Sequence, residues 1–304
     1  MTLAAVLMDN DWPKASASTM VGQRSRSRIA AFRLHRPQSV GEALQMRASA
    51  PGGVSYMGGG LDLVNQMKEG MRRTEIIHLG RIAELKLINP LATGTKHSSG
   101  LRIGALATHH AVATHPWATK YQPHMSAVWG TLGSPRIRLR GTVGGNLMAL
   151  DPQYDVSPML AALGATVNYA IPAGTFGTKP VGESLPPAAL ALSVDVPCRQ
   201  GSRLIVDRSL KPALSVFLGI DCLEDCVTSG RVAIGCAHEM PIVRSLPLQK
   251  PLTFAEIAAR AGDFARAVVE ALPPLLDDWQ SSNSYRRIML KTLITRQLTG
   301  LAIS

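Results

Sequence analysis

The stretch Arg136-Ile-Arg-Leu-Arg-Gly-Thr-Val-Gly-Gly-Asn146, followed shortly by Asp151-Pro-Gln-Tyr-Asp155, decides how the rest of the sequence is interpreted. Glycine lets backbone N–H groups approach phosphate oxygens closely, and successive N–H groups can form a concave anion site. Thr142 and Asn146 add side-chain donors, and Asp155 can accept a hydrogen bond from a ribose hydroxyl. A Gly-Gly pair alone is more typical of a tight turn. Together, these residues predict a loop that holds the diphosphate and ribose of a dinucleotide.

A second glycine run, Gly58-Gly59-Gly60-Leu61-Asp62-Leu63, strengthens that interpretation. It follows an apolar segment at 54–57 and precedes a helix-like segment at 64–68, so the pattern is strand, glycine turn and helix. The start of a helix attracts anions because its unpaired N–H groups and its dipole favour negative charge. The run does not fit the Gly-x-Gly-x-x-Gly fingerprint of NAD-binding folds, and the sequence has no Walker Gly-Lys-Ser/Thr motif. NAD and ATP are therefore weaker candidates than a flavin dinucleotide.

The chain of 304 residues is long enough for more than one domain. We interpret residues 1–28 as a flexible N-terminal extension, 29–81 and 82–189 as the two halves of a cofactor-binding domain, and 190–304 as a C-terminal domain. Because the two glycine runs lie in different halves, the cofactor is expected between them. The elements predicted in the first half are strands at 30–34, 54–57 and 75–79, and helices at 39–49 and 61–70.

The second half and the C-terminal domain show weaker periodicity. The elements predicted in the second half are strands at 85–88, 101–103 and 165–170, and helices at 108–114, 121–132 and 156–163. The proline- and glycine-rich segment 171–187 is expected to be a loop at the boundary. The elements predicted beyond it are a small antiparallel sheet with strands near 190–196, 214–220 and 231–236, and helices at 254–261, 263–272 and 284–301. Thr253 is expected to cap the first of these helices, with Glu256 completing a capping box.

The formal net charge of +11 raises the question of nucleic-acid or membrane binding. The basic residues are scattered, and no interleaved aromatic pattern of an RNA-binding sheet accompanies them, so no nucleic-acid partner is expected. No apolar run reaches the roughly 18 to 20 residues of a membrane-spanning helix. The mildly apolar segment at 3–8 precedes the basic cluster at 24–28, which is the reverse of a secretory signal. We therefore expect a cytoplasmic protein without a membrane span.

Metal binding and acyl hydrolysis are also disfavoured. The spacing of the cysteines matches neither an iron–sulfur motif nor a zinc motif, so we expect reduced, partly buried thiols at Cys198, Cys222, Cys226 and Cys236. The eight histidines show no metal-binding spacing. No Gly-x-Ser-x-Gly elbow accompanies the serines. No metal is expected in this chain.

Several modest motifs, taken in order along the chain, together resemble one family: the FAD-binding subunits of molybdenum hydroxylases, which include carbon monoxide dehydrogenase medium subunits and the flavin domain of xanthine dehydrogenase. The motifs lie at 37–44, 58–70, 77–85, 101–109, 134–165, 192–197, 277–279 and 285–287. By this resemblance the fold is α+β. A two-subdomain FAD-binding domain of the vanillyl-alcohol oxidase-like type is followed by a small C-terminal α+β domain with an antiparallel sheet and helices.

The resemblance also implies the cofactor and its site. FAD would have its pyrophosphate on the loops 58–63 and 142–146, its ribose near Asp155 and its flavin near His109. The residues expected to bind it are Met57, Gly58, Gly59, Gly60, Leu61, Asp62, Leu63, His109, Thr142, Val143, Gly144, Gly145, Asn146, Asp155, Leu192 and Arg203. No catalytic side chain is expected, because the flavin carries the redox chemistry and the protein positions it. Gly144→Val is expected to abolish flavin retention without unfolding the chain.

The sequence departs from the family pattern at three positions. Leu61 stands where the family commonly has a threonine, and Leu139 stands where it commonly has an asparagine. Each change removes a donor, and a hydrogen bond to a charged group contributes roughly 1.5 to 3 kcal/mol. A basic residue is expected near Leu204, where the adjacent Arg203 is a substitute. These departures bear on the affinity for FAD.

By resemblance, this chain is an electron-transfer subunit. A large partner subunit with molybdopterin would oxidise the substrate, a small partner with [2Fe–2S] clusters would relay electrons, and FAD would deliver them to an acceptor such as NAD or quinone. Two alternatives stay open: a stand-alone FAD-dependent oxidoreductase of small molecules, and a non-catalytic scaffold descended from such a subunit.

Overall fold

A computed structural model of the protein describes residues 29–50, 52–92, 99–199, 201–209 and 213–302. The predicted extension, residues 1–28, lies outside these ranges. The described chain forms three sheets, each belonging to one unit of the fold. Helices combine with one parallel and two antiparallel sheets, in agreement with the predicted α+β class. Within the described ranges, no helix has the length and apolarity required to cross a membrane.

The first unit is a three-stranded parallel sheet flanked by two helices. Its elements are β1 (Arg33–His35), α1 (Val40–Ser49), β2 (Val54–Met57), α2 (Leu61–Lys68) and β3 (Glu75–His78). The strands lie in the order β1-β3-β2, so all three carboxyl ends meet at one edge. Ser39 caps α1 by accepting a hydrogen bond from the N–H of Glu42. Strand β1 begins later than predicted, at Arg33.

The second unit is a five-stranded antiparallel sheet covered by short helices. Its elements are β4 (Ile88–Ala92), β5 (Ser99–Gly104), α3 (His109–Thr114), α4 (Pro116–Tyr121), α5 (Pro123–Gly130), α6 (Pro135–Arg140), α7 (Val143–Ala149), α8 (Val156–Ala162), β6 (Thr166–Ala170), β7 (Phe176–Pro180) and β8 (Leu190–Cys198). The strand order is β4-β5-β8-β6-β7. Helices α3 and α6 begin at the caps Thr108 and Ser134.

Three predictions for the second unit were wrong. The strand expected at 85–88 is a turn of 3-10 helix, Ala83–Lys86, and the strand follows it. The single helix expected at 121–132 is divided into α4 and α5, because Pro123 has no N–H to continue a helix and instead starts a new one. The segment 171–187 is not only loop, since it contains β7, which pairs with β6.

Strand β8 also corrects the predicted sheet of the C-terminal domain. It pairs with β5 and β6 in the second unit, whereas the strands expected beside it belong to another sheet. The side chains of Ala191, Val194 and Val196 are buried in the core of this unit. We therefore propose that the second unit extends to Cys198 rather than ending at residue 189.

The third unit combines an antiparallel sheet with three helices. Its elements are β9 (Arg203–Arg208), β10 (Ser215–Leu223), β11 (Cys226–Gly235), β12 (Ile242–Ser245), β13 (Leu252–Thr253), α9 (Phe254–Ala259), α10 (Ala261–Glu270) and α11 (Asn283–Gly300). The sheet has the order β12-β11-β10-β9, with β13 paired to β11. The predicted capping box is confirmed: Thr253 accepts from the N–H of Glu256, whose carboxylate accepts from the N–H of Thr253.

The sheet of the third unit is buried on both faces. Phe217 on β10 packs into the core of the second unit, whereas its neighbours Val216 and Leu218 pack against α9, α10 and α11. Alternate residues of a strand point to opposite faces, so β10 contributes to two cores at once. Gly219 on the same strand allows close approach of α8, since a Cβ there would overlap the carbonyl oxygen of Ala162. This packing joins the third unit to the second.

Candidate functional site

The two glycine loops predicted from the sequence touch each other. A Cβ atom on Gly58 would lie 2.7 Å from the Thr142 hydroxyl oxygen, and one on Gly59 would overlap the carbonyl oxygen of Arg140. Arg140 also donates a hydrogen bond from Nη2 to the Gly59 carbonyl oxygen at 3.4 Å. Glycine is therefore required in the first loop because the backbone of the second loop lies against it. The structure joins the two predicted halves of the site.

The N–H groups of the second loop are largely bound within the protein. The N–H of Val143 donates to the carbonyl of Ala107 at 3.0 Å, and that of Gly144 donates to the carbonyl of Ala105 at 2.8 Å. The N–H of Gly145 donates to the Thr142 hydroxyl at 3.2 Å, where Thr142 is the cap of α7. The concave group of free N–H donors expected from the sequence is therefore not formed by these residues.

Gly144 has a different role from the predicted one. It is buried in α7, and a Cβ there would lie 2.7 Å from the side chain of Ala105. Valine at this position would push α7 away from the end of β5, so the expectation that Gly144→Val acts on the ligand alone was wrong. Gly145 is the exposed glycine of the pair, and a Cβ on it would meet only the Thr142 hydroxyl.

Asn146 offers the clearest unsatisfied group in the second loop. Its side-chain oxygen, Oδ1, is buried and has no hydrogen-bond partner among the described residues. Leaving a buried acceptor unpaired costs about 1 to 3 kcal/mol, so such an atom calls for a partner that the chain itself does not provide. Tyr56 at the end of β2 carries a second buried atom of this kind, its hydroxyl oxygen. Both atoms fit a ligand with hydroxyl or N–H groups.

The first loop leads directly into the start of α2. Gly60 is the N-cap residue with φ of +78°, a left-handed conformation that favours glycine, and it provides no side-chain cap. The first-turn N–H groups of Leu61, Asp62 and Leu63 therefore lack the usual capping partner. An anion at this helix start would be stabilised by these groups and by the helix dipole. Met57 adjoins the turn, with its sulfur near Gly60.

Tyr154, which follows the second loop in sequence, contacts Asp62 of the first loop. The sequence did not single out this side chain. Its hydroxyl donates a short hydrogen bond to Oδ1 of Asp62. Burial raises the pKa of Asp62, the hydrogen bond from Tyr154 opposes that rise, and the neighbouring Asp151 adds to it. Burial and the contact with Asp62 in turn raise the pKa of Tyr154. Tyr154 lies within the opening sequence stretch, but a single tyrosine carries no spacing signal that would have identified it.

An open cleft of about 380 Å³ lies between the first and second units. Apolar side chains from α1 and from the 3-10 turn Ala83–Lys86 form one wall, and residues of β5, β7 and β8 form the other. Leu192 of β8, one of the predicted site residues, lines this wall together with Gly104 of β5. The polar side chains that line it belong to Glu84, Asn89, Arg102 and Ser193. The cleft therefore suits a flat, mainly apolar ring system with a few polar atoms.

His109 lies beneath the second loop rather than facing open space. Its side chain is only 4% exposed, and Trp129 donates from Nε1 to its Nδ1 at 3.1 Å. A Cβ on Gly141 would lie 2.7 Å from the imidazole ring. Burial lowers the pKa of His109 from 6.5 to about 4, so the ring is neutral at pH 7. His109 supports the Gly141 turn from below.

Two predicted site residues engage the third unit. Asp155 precedes α8 and forms an ion pair with Arg208 of β9 at 3.0 Å. Burial raises the pKa of Asp155, whereas Arg208 and a hydrogen bond from Ser215 oppose the rise. Arg203, also on β9, stacks its guanidinium on the ring of Phe254 at 4.8 Å. The Asp155–Arg208 pair joins units two and three, whereas the Arg203–Phe254 contact lies within the third unit.

The sequence of this chain is similar to those of known proteins. A family described as the FAD-binding domain in molybdopterin dehydrogenase matches residues 30–199. The glyceraldehyde dehydrogenase medium chain of Sulfolobus acidocaldarius is 23% identical over 284 residues, covering 89% of this chain and 98% of the relative. The carbon monoxide dehydrogenase medium chain of Afipia carboxidovorans is 22% identical over 277 residues, covering 87% and 94%.

A solved structure shows the same fold. Quinoline 2-oxidoreductase from Pseudomonas putida has a chain that superposes with a TM-score of 0.77 at 21% identity, covering 90% of this chain and 98% of that one. The family match covers more than half of the chain and includes both glycine loops. The chain therefore belongs to the family of FAD-binding domains of molybdopterin dehydrogenases, and it is an oxidoreductase flavoprotein with FAD as its cofactor.

Proposed function

We propose that this chain is the electron-transfer subunit of a heteromeric molybdenum hydroxylase. In this assignment FAD receives electrons from the [2Fe–2S] clusters of a small partner subunit and passes them to an acceptor such as NAD or quinone. A large partner subunit with molybdopterin oxidises the substrate. The family match and the medium-chain relatives, which are matched along most of their length, support this assignment.

The contact between the two glycine loops carries the proposal. It brings the uncapped start of α2 and the second loop to one place, where a diphosphate can lie against both. FAD, when bound, would accept electrons one or two at a time and pass them to the acceptor. The chain itself binds and orients the cofactor, and Tyr154 holds Asp62 in the first turn of α2.

The residues proposed to contact FAD differ in part from the sequence prediction. We retain Met57, Leu192 and the first loop, Gly58, Gly59, Gly60, Leu61, Asp62 and Leu63, and from the second loop Thr142, Gly145 and Asn146. His109, Val143 and Gly144 are left out because Val143 and Gly144 are buried within the second loop itself and His109 is buried beneath it. Asp155 and Arg203 are left out because Asp155 pairs with Arg208 of the third unit and Arg203 stacks on Phe254 within that unit.

The cytoplasm is proposed as the compartment. The described cysteines are all free, with Cys236 buried and the other three partly buried. Reduced thiols are typical of that compartment. Fractionation of the native host, with the chain followed by antibody, checks this part of the proposal. Recovery in an exported fraction would contradict it.

The function is tested by purifying the chain together with proteins from its own host. We expect FAD at about one per chain, with molybdopterin and iron–sulfur proteins in the same complex. The chain purified alone with FAD, turning over a small molecule without partners, would instead support a stand-alone oxidoreductase. A folded complex that lacks flavin would support a scaffold and refute the proposal.

The site assignment is tested by a matched pair of glycine substitutions. Gly59→Ala places a Cβ against the Arg140 carbonyl and should separate the loops, so that FAD content falls at least tenfold while the circular dichroism spectrum is kept. Gly52→Ala is the control, because a Cβ there meets nothing within 4 Å. Equal FAD content in the two folded variants would contradict the loop assignment.

A further inference from the structure

Positively charged side chains gather around His78 at the carboxyl edge of the parallel sheet. His78 ends β3 and pairs in register with Met57 of β2, while His35 of β1 pairs with the preceding residue, Ile77. The parallel register therefore places Arg36, which follows β1, beside His78 on its other side. All three strands end here, where ligands of α/β sheets commonly bind.

The turns that follow β3 add two further cations to this edge. Arg81 ends the 3-10 turn Leu79–Arg81, and Lys86 ends the next turn, Ala83–Lys86. Arg140 reaches the same edge from α6, where it contacts the Gly59 carbonyl. Burial and the charges of Arg36, Lys86, Arg140 and Arg81 together lower the pKa of His78. The four cations are thus close enough to act on one imidazole.

None of the four cations forms an ion pair within the part of the chain that the structure describes. All four side chains are exposed. Several other arginines in the described ranges do have carboxylate partners, such as Arg102 with Asp195 and Arg296 with Asp207. Glu84 lies on the same turn as Lys86 but makes no such pair. Mutual repulsion among four like charges is unfavourable unless an anion reduces it.

We propose that His78, Arg36, Arg81, Lys86 and Arg140 form a binding site for a phosphate-bearing ligand. A phosphate or diphosphate carries more than one negative charge, and guanidinium groups match its oxygens with paired N–H donors. The ligand source is either the diphosphate of FAD itself or a phosphate of a second ligand that binds beside it, such as a dinucleotide acceptor. The first source rests on the proposed function, whereas the phosphate site itself does not.

The imidazole of His78 is fixed in this group by the neighbouring backbone. A Cβ on Gly80 would lie 2.5 Å from Cε1 of His78, so the ring lies directly over the Gly80 backbone. The ring can therefore offer an N–H at a constant position without closing the site. The arginine and lysine side chains around it are longer than the histidine side chain, and they adjust their conformation to the ligand.

The test compares two double variants of the full chain with equal loss of charge. Arg36→Gln with Arg81→Gln removes two cations from the site. Arg72→Gln with Lys291→Gln is the control, because Arg72 precedes β3 at the opposite edge of the sheet and Lys291 is exposed on α11. Isothermal titration measures pyrophosphate binding to the flavin-free and the FAD-loaded chain, and FAD binding to the flavin-free chain, each at 50 and 200 mM NaCl.

The site variant should bind pyrophosphate about five- to tenfold more weakly than the control, with a smaller dependence on salt. If FAD binding weakens in parallel and the FAD-loaded chain no longer takes pyrophosphate, the ligand is the diphosphate of FAD. If FAD binding is unchanged and the FAD-loaded wild type still binds pyrophosphate, the ligand is a second phosphate compound.

Equal pyrophosphate and FAD binding by the two double variants, within twofold, would overturn the phosphate site. Failure of the proposed function looks different. In that case the wild type takes up no FAD, yet pyrophosphate binding still depends on Arg36 and Arg81. The two inferences therefore fail on separate measurements.

Discussion

The buried oxygen of Asn146 yields the most direct test of the cofactor site. Among the residues that the structure describes this atom has no partner, and FAD is expected to supply one. Asn146→Ala removes the unpaired acceptor and, with it, the hydrogen bond that FAD would donate to this oxygen. The variant should therefore bind FAD more weakly without being less stable in the flavin-free state.

The expected size follows from the state of that oxygen. An unpaired buried acceptor costs about 1 to 3 kcal/mol, and a new hydrogen bond from a neutral donor contributes about 0.5 to 1.5 kcal/mol. Binding that satisfies the oxygen gains from both terms, less the lost freedom of the ligand. A loss of about 1 to 2 kcal/mol in Asn146→Ala corresponds to roughly a 5- to 30-fold weaker affinity. Unfolding of the flavin-free variant should need the same urea concentration as wild type, or a higher one.

Two measurements are needed on the same preparation. Quenching of flavin fluorescence gives the dissociation constant, and urea unfolding without FAD gives the stability. Asn65→Ala is the control, since Asn65 is exposed on α2 and outside both loops. An unchanged dissociation constant, or a flavin-free variant that is markedly less stable, would refute the assignment of Asn146 as a ligand contact.

Three further predictions concern charged and titratable groups near the site. Tyr154→Phe removes the donor to Asp62 and so raises the pKa of this buried carboxyl further, and FAD binding should weaken a few-fold. The dissociation constant should rise as the pH is raised from 4 and Asp62 loses its proton, and it should stay flat in Asp62→Asn. His109 has its pKa lowered from 6.5 to about 4 by burial, so its neutral form stabilises the fold fully above pH 6.5, and about 3 kcal/mol is lost as the pH falls from 6.5 to 4. Urea unfolding across this range should show that loss in wild type and much less of it in His109→Gln, and equal pH dependence of both would contradict the burial of a neutral ring. Arg208→Ala leaves the carboxylate of Asp155 without its cation, so it should destabilise the chain by about 1 kcal/mol at pH 7 and by progressively less as the pH falls and Asp155 takes up a proton; an effect that does not change with pH, measured by thermal unfolding, would exclude the ion pair as its cause.

The local pattern of the sequence predicted the first unit well. The helix at 39–49 and the strand at 54–57 lie where they were expected, as does the Thr253 cap of the third unit, because caps and turns act over three or four residues. The pairing of β8 was not predicted, because strand neighbours depend on contacts between distant segments. A run of apolar residues shows that a strand is buried but not which sheet buries it.

The site also combines local motifs that the sequence identifies with contacts between distant residues that it does not. Sequence motifs identified both glycine loops and their joint use, but assigned the glycines to contact with phosphate. In the structure Gly58 and Gly59 serve the contact between the loops, and Gly144 serves the packing of α7. Tyr154, His78 and the cations around His78 were missed because their association depends on the fold. Asp155 was predicted as a ribose ligand, and only the positions of β9 and β10 reveal its pairing with Arg208.

The contact between Gly59 and the Arg140 carbonyl limits how the site can change in evolution. The atom that excludes a side chain at position 59 belongs to the main chain, and every amino acid carries it. No replacement at position 140 can therefore make room for a larger residue at position 59. A close contact between two side chains can be replaced by another complementary pair of side chains, but a contact with a main-chain carbonyl cannot. A designer who transfers this cofactor site to another scaffold must move both loops with their backbone geometry intact.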